Sequence, residues 1–245
     1  MPAWLLILAA LLCATVSGLF GMGGGMIFLG LIAAWLSVAA AMVVHGVVQS
    51  ASNGSRAWFL RAHVRWDVVR WEGVGAVPVV ALLLAVSFVP DTPTLYILLG
   101  LLPLLLWLPK RVFALDAARP RDAVLCGGTV AGLNLSAGVA GPALDFFYVR
   151  TALTRREIVA TKAVTMFGAH LVKILYFGVP LVRAQGLDTL PAPWALGVAA
   201  GATFAGSWLG TRGLALFSDV GFRRVSRWLV TGVGAVYLWR GAALL

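Results

Sequence analysis

Long apolar runs separated by short polar or glycine-rich stretches make up almost the whole chain. They cover residues 3–18, 26–36, 37–60, 73–90, 94–109, 123–137, 139–149, 156–179, 193–211 and 225–243. Crossing a bilayer takes roughly 20 apolar residues in a helix, and the runs at 26–36 and 139–149 fall well short of that. Each short run comes after a glycine-containing break that ends another shortish run. The first break reads GLFGMGGG at 18–25; the second reads GLNLSAG at 132–138, with Gly141 and Pro142 just beyond. The order of segment types therefore repeats: run, break, short run, long helix, two plain helices. This predicts an all-α polytopic integral membrane protein built of two repeats, 1–112 and 123–245, joined by a linker at 113–122. Each repeat is expected to open with a broken or re-entrant helical hairpin (3–36 and 123–150). Three transmembrane helices complete each one, at 37–60, 73–90 and 94–109 and then at 156–179, 193–211 and 225–243.

The long helices carry the repeat furthest, because polar residues recur on them at matching offsets. In the first they are His45, Gln49, Asn53 and Arg56. Moved on by 117 residues, the positions are Lys162, Met166, His170 and Lys173. Offsets of 0, 4, 8 and 11 fall on one face at 3.6 residues per turn. Each repeat is thus read as presenting a polar stripe on its first full-length helix.

Composition agrees: 61% of the 245 residues are hydrophobic and 11% charged, against about 25% charged in a soluble domain. That excludes a soluble enzyme and a disordered tail. The net charge of +10 would otherwise suggest nucleic acid, but no nucleic-acid partner is expected, since in a membrane protein an arginine excess reports orientation. Arg61, Arg65 and Arg70, then Lys110, Arg111, Arg119 and Arg121, then Arg150, Arg155 and Arg156, and finally Arg212, Arg223, Arg224 and Arg227 mark four inside segments. The segment around Asp91 and the loop 180–192 fall outside. These sides are mutually consistent only if the two hairpins enter from opposite faces, which makes the halves inverted-topology repeats with the substrate site at their interface. The linker is then cytoplasmic, both termini are outside, and the protein sits in the cell inner membrane. Residues 1–18 are read as retained structure, because no Lys or Arg precedes the run and no Ala-x-Ala site comes after it. Cys13 and Cys126 lie within apolar runs and suggest neither a disulfide framework nor a metal site.

Irregular backbone at membrane depth is tolerated where it lines a cavity or is buried in protein. The amides opening the two short helices, around Gly23, Gly24 and Gly25 and around Gly138, Val139 and Ala140, would point into such a cavity. Helix N-termini of that kind attract anions. Lys162 and Lys173 are the lysines inside predicted spans, where charge marks function by default, although near a helix end a lysine can also snorkel to the interface. With His45, Gln49, Asn53, Arg56, Asn134, Ser136, Met166 and His170 they form the candidate substrate-binding set, one that prefers an oxygen-rich anion. Asp145, read as the one acid inside a segment, is the candidate coupling residue or a lysine partner. His45 and His170 are further candidates for proton coupling. No metal, cofactor or catalytic residue is expected. The coupling ion, H+ or Na+, and the oligomeric state, a homodimer included, stay open.

At the breaks and striped helices the chain resembles the sulfite exporter TauE/SafE family, also called the toluene sulfonate uptake permeases. The resemblance rests on GLFGMGGG at 18–25, on QSASNGSR at 49–56 with the basic loop after it, and on TKAVT at 161–165 leading to HLVK at 170–173. It extends over nearly the whole chain through the order of these motifs. Members often carry Asn where this chain has His170. The resemblance implies a secondary transporter of sulfur-containing anions such as 4-toluene sulfonate, sulfoacetate, sulfite or thiosulfate, working by alternating access. Phe20, Phe28, Trp58, Phe146, Phe147, Tyr148 and Phe167 lie near the breaks or stripes, where they could wall an aromatic sulfonate. Three rivals keep a foothold. They are an anion channel, an intramembrane hydrolase using Ser136 and His170, which lacks a Gly-x-Ser-x-Gly elbow, and a haem protein with His45 and His170 as axial ligands.

Overall fold

The computed structural model describes residues 1–20, 23–107, 115–148, 150–213 and 219–245. Gly21 and Met22, the end of the 94–109 run, Lys110 and Arg111, the first residues of the linker, and Val149 lie outside the described residues, as do the side chains of Phe20, Arg223 and Arg224. The described residues form ten α-helices and no strands. The first five are α1 (Ala3–Phe20), α2 (Gly24–Ile32), α3 (Val38–Phe59), α4 (Trp66–Ala85) and α5 (Thr92–Leu101). The second five are α6 (Pro120–Ser136), α7 (Gly141–Tyr148), α8 (Arg155–Gln185), α9 (Pro193–Gly213) and α10 (Asp219–Ala243).

Local chemistry sets the helix ends. Ser37 caps α3 by accepting from the Ala40 amide at 3.4 Å, and Asp91 caps α5 by accepting from the Thr94 amide at 2.9 Å. Thr154 and Glu157 form a reciprocal capping box at the start of α8. Where helix bounds depart from those read off hydropathy, polar residues inside helices are the main cause. Helix α4 starts at Trp66, seven residues before the predicted 73, because Asp67, Arg70 and Glu72 interrupt the apolar run without interrupting the helix. Helix α8 runs on past 179 to Gln185, through Pro180. The run from 94 leaves the α-helix after Leu101 and continues as a 3₁₀ turn, Leu102–Trp107, at Pro103. Helix α10 starts at Asp219, before the predicted 225.

Trp66–Ala85 and Arg155–Gln185 are long and apolar enough to cross a bilayer by length and composition. The outer surface is apolar as well: Val77, Leu82, Leu175 and Trp239 are each more than half exposed, as side chains facing lipid are. Inside, Leu6, Met26, Leu29, Met42, Leu95 and Phe177 belong to one packed core, and Val68, Cys126, Val130 and Leu144 to a smaller one beneath α7.

The principal helix pairings are α1 with α9, α4 with α6, α3 with α8 and α5 with α10. If α1–α5 are matched in order to α6–α10, exchanging the halves turns the α1–α9 pairing into α6–α4. The same exchange returns the α3–α8 and α5–α10 pairings to themselves. Helices α3 and α8 run antiparallel, since His45 early on α3 meets Lys173, and Gly54 further along faces the earlier Phe167 ring. Both breaks turn at a glycine of positive φ, Gly23 at 89° and Gly138 at 72°, a conformation that side chains resist. A Cβ at Gly138 would also overlap Leu29 of α2 and Met42 of α3, so the second break is seated against the first half.

Candidate functional site

Helices α2, α3, α7 and α8 enclose a cavity of about 170 Å³. From α3 it is lined by His45, Gln49, Ser52, Asn53 and Arg56, and from α8 by Lys162, Ala163, Met166 and His170. The start of α2 contributes Gly23, Gly25 and Met26. The second break and α7 contribute Val139, Gly141, Pro142, Leu144 and Asp145. The two stripes and both half-helix N-termini therefore face one space. Ser17 and Val230 also line it; neither belongs to a stripe or a break, and nothing in their spacing marked them. Of the sequence candidates, Gly24, Asn134, Ser136, Gly138 and Lys173 stand outside the lining. Ser136 donates to Gly132 O at 2.7 Å within its own helix. Asn134 donates to Ala169 O at 2.8 Å, tying α6 to α8.

Burial grades along the stripes. Arg56 is exposed, Asn53 is 9% exposed, His45 1% and Lys173 0%. The cavity is thus open at the Arg56–Lys162 end and sealed at the His45–Lys173 end. Lys162 forms an ion pair with Asp145, whereas Arg56 pairs with no carboxylate among the described residues. At the sealed end Nε2 of His45 bonds Gly25 O at 3.0 Å, and Nζ of Lys173 lies 2.7 Å from Nδ1 of His45.

A family model described as Sulfite exporter TauE/SafE matches residues 6–237, nearly the whole chain. The chain belongs to the TauE/SafE family. It is a membrane transporter, of a family that moves sulfur-containing anions. No curated protein and no solved structure is similar enough to match it.

Within this TauE/SafE chain, two sequence readings change. Asp145 is not the one acid inside a helix: Glu72 of α4 is 2% exposed, and hydropathy hid it by starting that helix too late. Its carboxylate accepts from the Tyr148 hydroxyl at 2.9 Å and from the Thr165 hydroxyl at 2.5 Å, joining α4, α7 and α8 beside the cavity. Neither lysine snorkels freely, since Lys173 is fully buried and Lys162 is held by Asp145.

Of the aromatic candidates whose side chains are described, none lines this cavity. Phe28 stacks behind His45, Tyr148 bonds Glu72, Trp58 is exposed, and Phe167 lines a separate apolar groove between α4, α6 and α8. The rings lining the cavity are the imidazoles of His45 and His170. The haem and hydrolase rivals lose their geometry here. Both nitrogens of His45 are engaged, and its ring centroid stands 5.5 Å from that of His170, edge to face. Ser136 and His170 share no hydrogen bond among the described residues, since Ser136 turns to Gly132 and Nδ1 of His170 has no partner.

Proposed function

We propose that this TauE/SafE protein is a secondary carrier that holds one compact sulfur-containing anion in the cavity between its two halves. The observation that carries the reading is the convergence of both stripes and both half-helix N-termini on one cavity closed at one end. A free guanidinium, an amide pair and backbone N–H groups offer the several donors that sulfonate oxygens accept. The repeats are 1–112 and 123–245, joined by the cytoplasmic linker 113–122, and they are inverted. Two features support the inversion: helix pairings that survive exchange of the halves, and the antiparallel packing of the equivalent helices α3 and α8. With the arginine-rich loops inside and both termini outside, the open end faces the cytoplasm. A sealed far end favours a carrier over a channel, and ion coupling completes alternating access.

The lining narrows the substrate. Gln49, Asn53, Arg56 and Lys162 line the cavity, and among the described residues no phenyl or indole ring does. That lining suits sulfite or a short aliphatic sulfonate better than one carrying a tolyl ring. Melting of the detergent-purified protein against sulfonates, sulfite, thiosulfate, sulfate and matched carboxylates tests this, because a ligand of the folded state raises the melting temperature. The expected shifts are largest for sulfite and short aliphatic sulfonates, smaller for 4-toluene sulfonate and absent for carboxylates. A flat response to every anion would remove the reading. Asn53→Ala and Lys162→Ala are each expected to weaken binding, and unchanged affinity in both would dismiss the stripes as the site.

A further inference from the structure

Behind the cavity wall lies a cation that anion binding alone leaves without a task. Lys173 is fully buried, and its Nζ stands 2.7 Å from Nδ1 of His45, 2.8 Å from Gly138 O and 3.5 Å from Oδ1 of Asn134. On the other side of the imidazole, Nε2 lies 3.0 Å from Gly25 O. A carbonyl oxygen accepts, so Nε2 carries a hydrogen and Nδ1 turns a lone pair toward Nζ. One N–H···N bond therefore closes a chain that runs from the first break at Gly25 to the second at Gly138. His45 touches the cavity and Lys173 does not.

Within this pair's surroundings, negative charge is committed elsewhere. Asp145 of α7 is paired with Lys162 of α8, and Glu72 of α4 is bonded by Tyr148 and Thr165. Among the described residues, the remaining titratable or charged groups that face the pair or share its cavity are His170 of α8, whose Nδ1 has no partner, and Arg56 further along α3. Asn134 of α6 and the glycine carbonyls of the breaks are neutral. A buried cation without a counter-ion is costly. An anion brought against His45 supplies the missing charge at short range and low dielectric. Anion and proton must then each strengthen the binding of the other.

We propose that the Lys173–His45 pair is the coupling site of this carrier and that its ligand is a proton, taken up and released together with the substrate anion. This rests on the anion-carrier reading. On uptake, a proton from water in the cavity adds to Nε2 of His45 and the Nδ1 proton passes to Nζ, so that Lys173 becomes an ammonium donating to Nδ1, Gly138 O and Asn134, and Nε2 donates to Gly25 O. On release the steps reverse: Nζ passes a proton to Nδ1, and the imidazolium so formed returns its Nε2 proton to water. Lys173 is left as a neutral amine that still bonds Gly138 O.

The test uses the full chain in liposomes loaded with a pH dye, with isethionate as probe because that sulfonate stays a monoanion across the working pH range. An inward isethionate gradient is expected to acidify the lumen in step with isethionate entry. The half-saturating concentration should fall as pH falls. In Lys173→Met the acidification is expected to be lost, while isethionate counterflow persists with weaker affinity that no longer varies with pH. If that variant does not fold, Lys173→Gln keeps a donor for Gly138 O and takes its place. Intact counterflow without acidification in the unaltered protein would overturn the proposal. So would acidification that survives in the variant. Absence of isethionate counterflow in the unaltered protein would overturn the carrier reading and this proposal with it.

Discussion

The two ends of the striped face solve the same electrostatic problem by opposite means. At one end Arg56 and Lys162 are in reach of water, and a carboxylate, Asp145, answers the lysine. At the other, Lys173 is shut away and is answered by a ring nitrogen, a backbone carbonyl and an amide oxygen. In the proposed repeats, an offset of 117 makes these positions counterparts, His45 to Lys162 and Arg56 to Lys173. On that reading a symmetric pair of stripes is folded into an asymmetric site. The contrast locates the entry of solvent: charge met by charge and water marks the open end, and charge met by dipoles marks the closed one.

Breaking the closed end should do the most damage. Gly138→Ala puts a side chain at a φ of 72° and against Leu29 and Met42. The left-handed conformation alone costs about 1–2 kcal/mol, and the overlap adds to it, so the melting temperature should fall by several degrees. An unchanged value would mean that the second break does not hold this end shut. Next is Arg56→Ala at the open end. Removing a charged donor worth roughly 1.5–3 kcal/mol is expected to weaken sulfonate binding by at least about tenfold, readable by titration calorimetry. A change confined to stability would place Arg56 outside the binding set.

Asp145→Asn separates two roles of the open end. The ion pair is partly exposed, with side chains 27% and 32% accessible, so its loss is expected to cost only about 1 kcal/mol of stability. Lys162 is then freed for substrate, and affinity should rise a few-fold, opposite in direction to Arg56→Ala. Weaker binding in this variant would make Asp145 a substrate contact. A slighter change, away from both ends, calibrates the comparison. Asp91 caps α5, and its hydrogen bonds from Thr94 hold its carboxyl below the usual range. A carboxyl depressed in the folded state adds stability above its unfolded value, about 3.9, and loses that stability as pH falls through its folded value. Asp91→Ala should therefore lower the melting temperature slightly at neutral pH, with the difference from the unaltered protein closing in acid.

Much of the cavity was legible beforehand because helical periodicity is a local property. His45, Gln49, Asn53 and Arg56 lie at spacings that put them on one face whatever the helix packs against, and the glycine breaks stand out against the surrounding apolar runs. Ser17 and Val230 gave no such signal, since they reach the cavity only through the placement of α1 and α10. Glu72 was missed for a related reason. Hydropathy reads a charged residue as a loop, whereas the fold buries this one by supplying the Tyr148 and Thr165 hydroxyls from two other helices.

Neighbours along the chain were enough to dictate a membrane solvent, the polar face of each striped helix, and two breaks where glycine releases the backbone. Which residues meet was settled only when the helices packed. The antiparallel packing of α3 on α8 brings His45 to Lys173 across 128 positions of sequence, and the same register leaves Arg56 open to water. Such pairings depend on which surfaces pack most closely and on which buried polar groups then find partners, quantities that no local pattern carries.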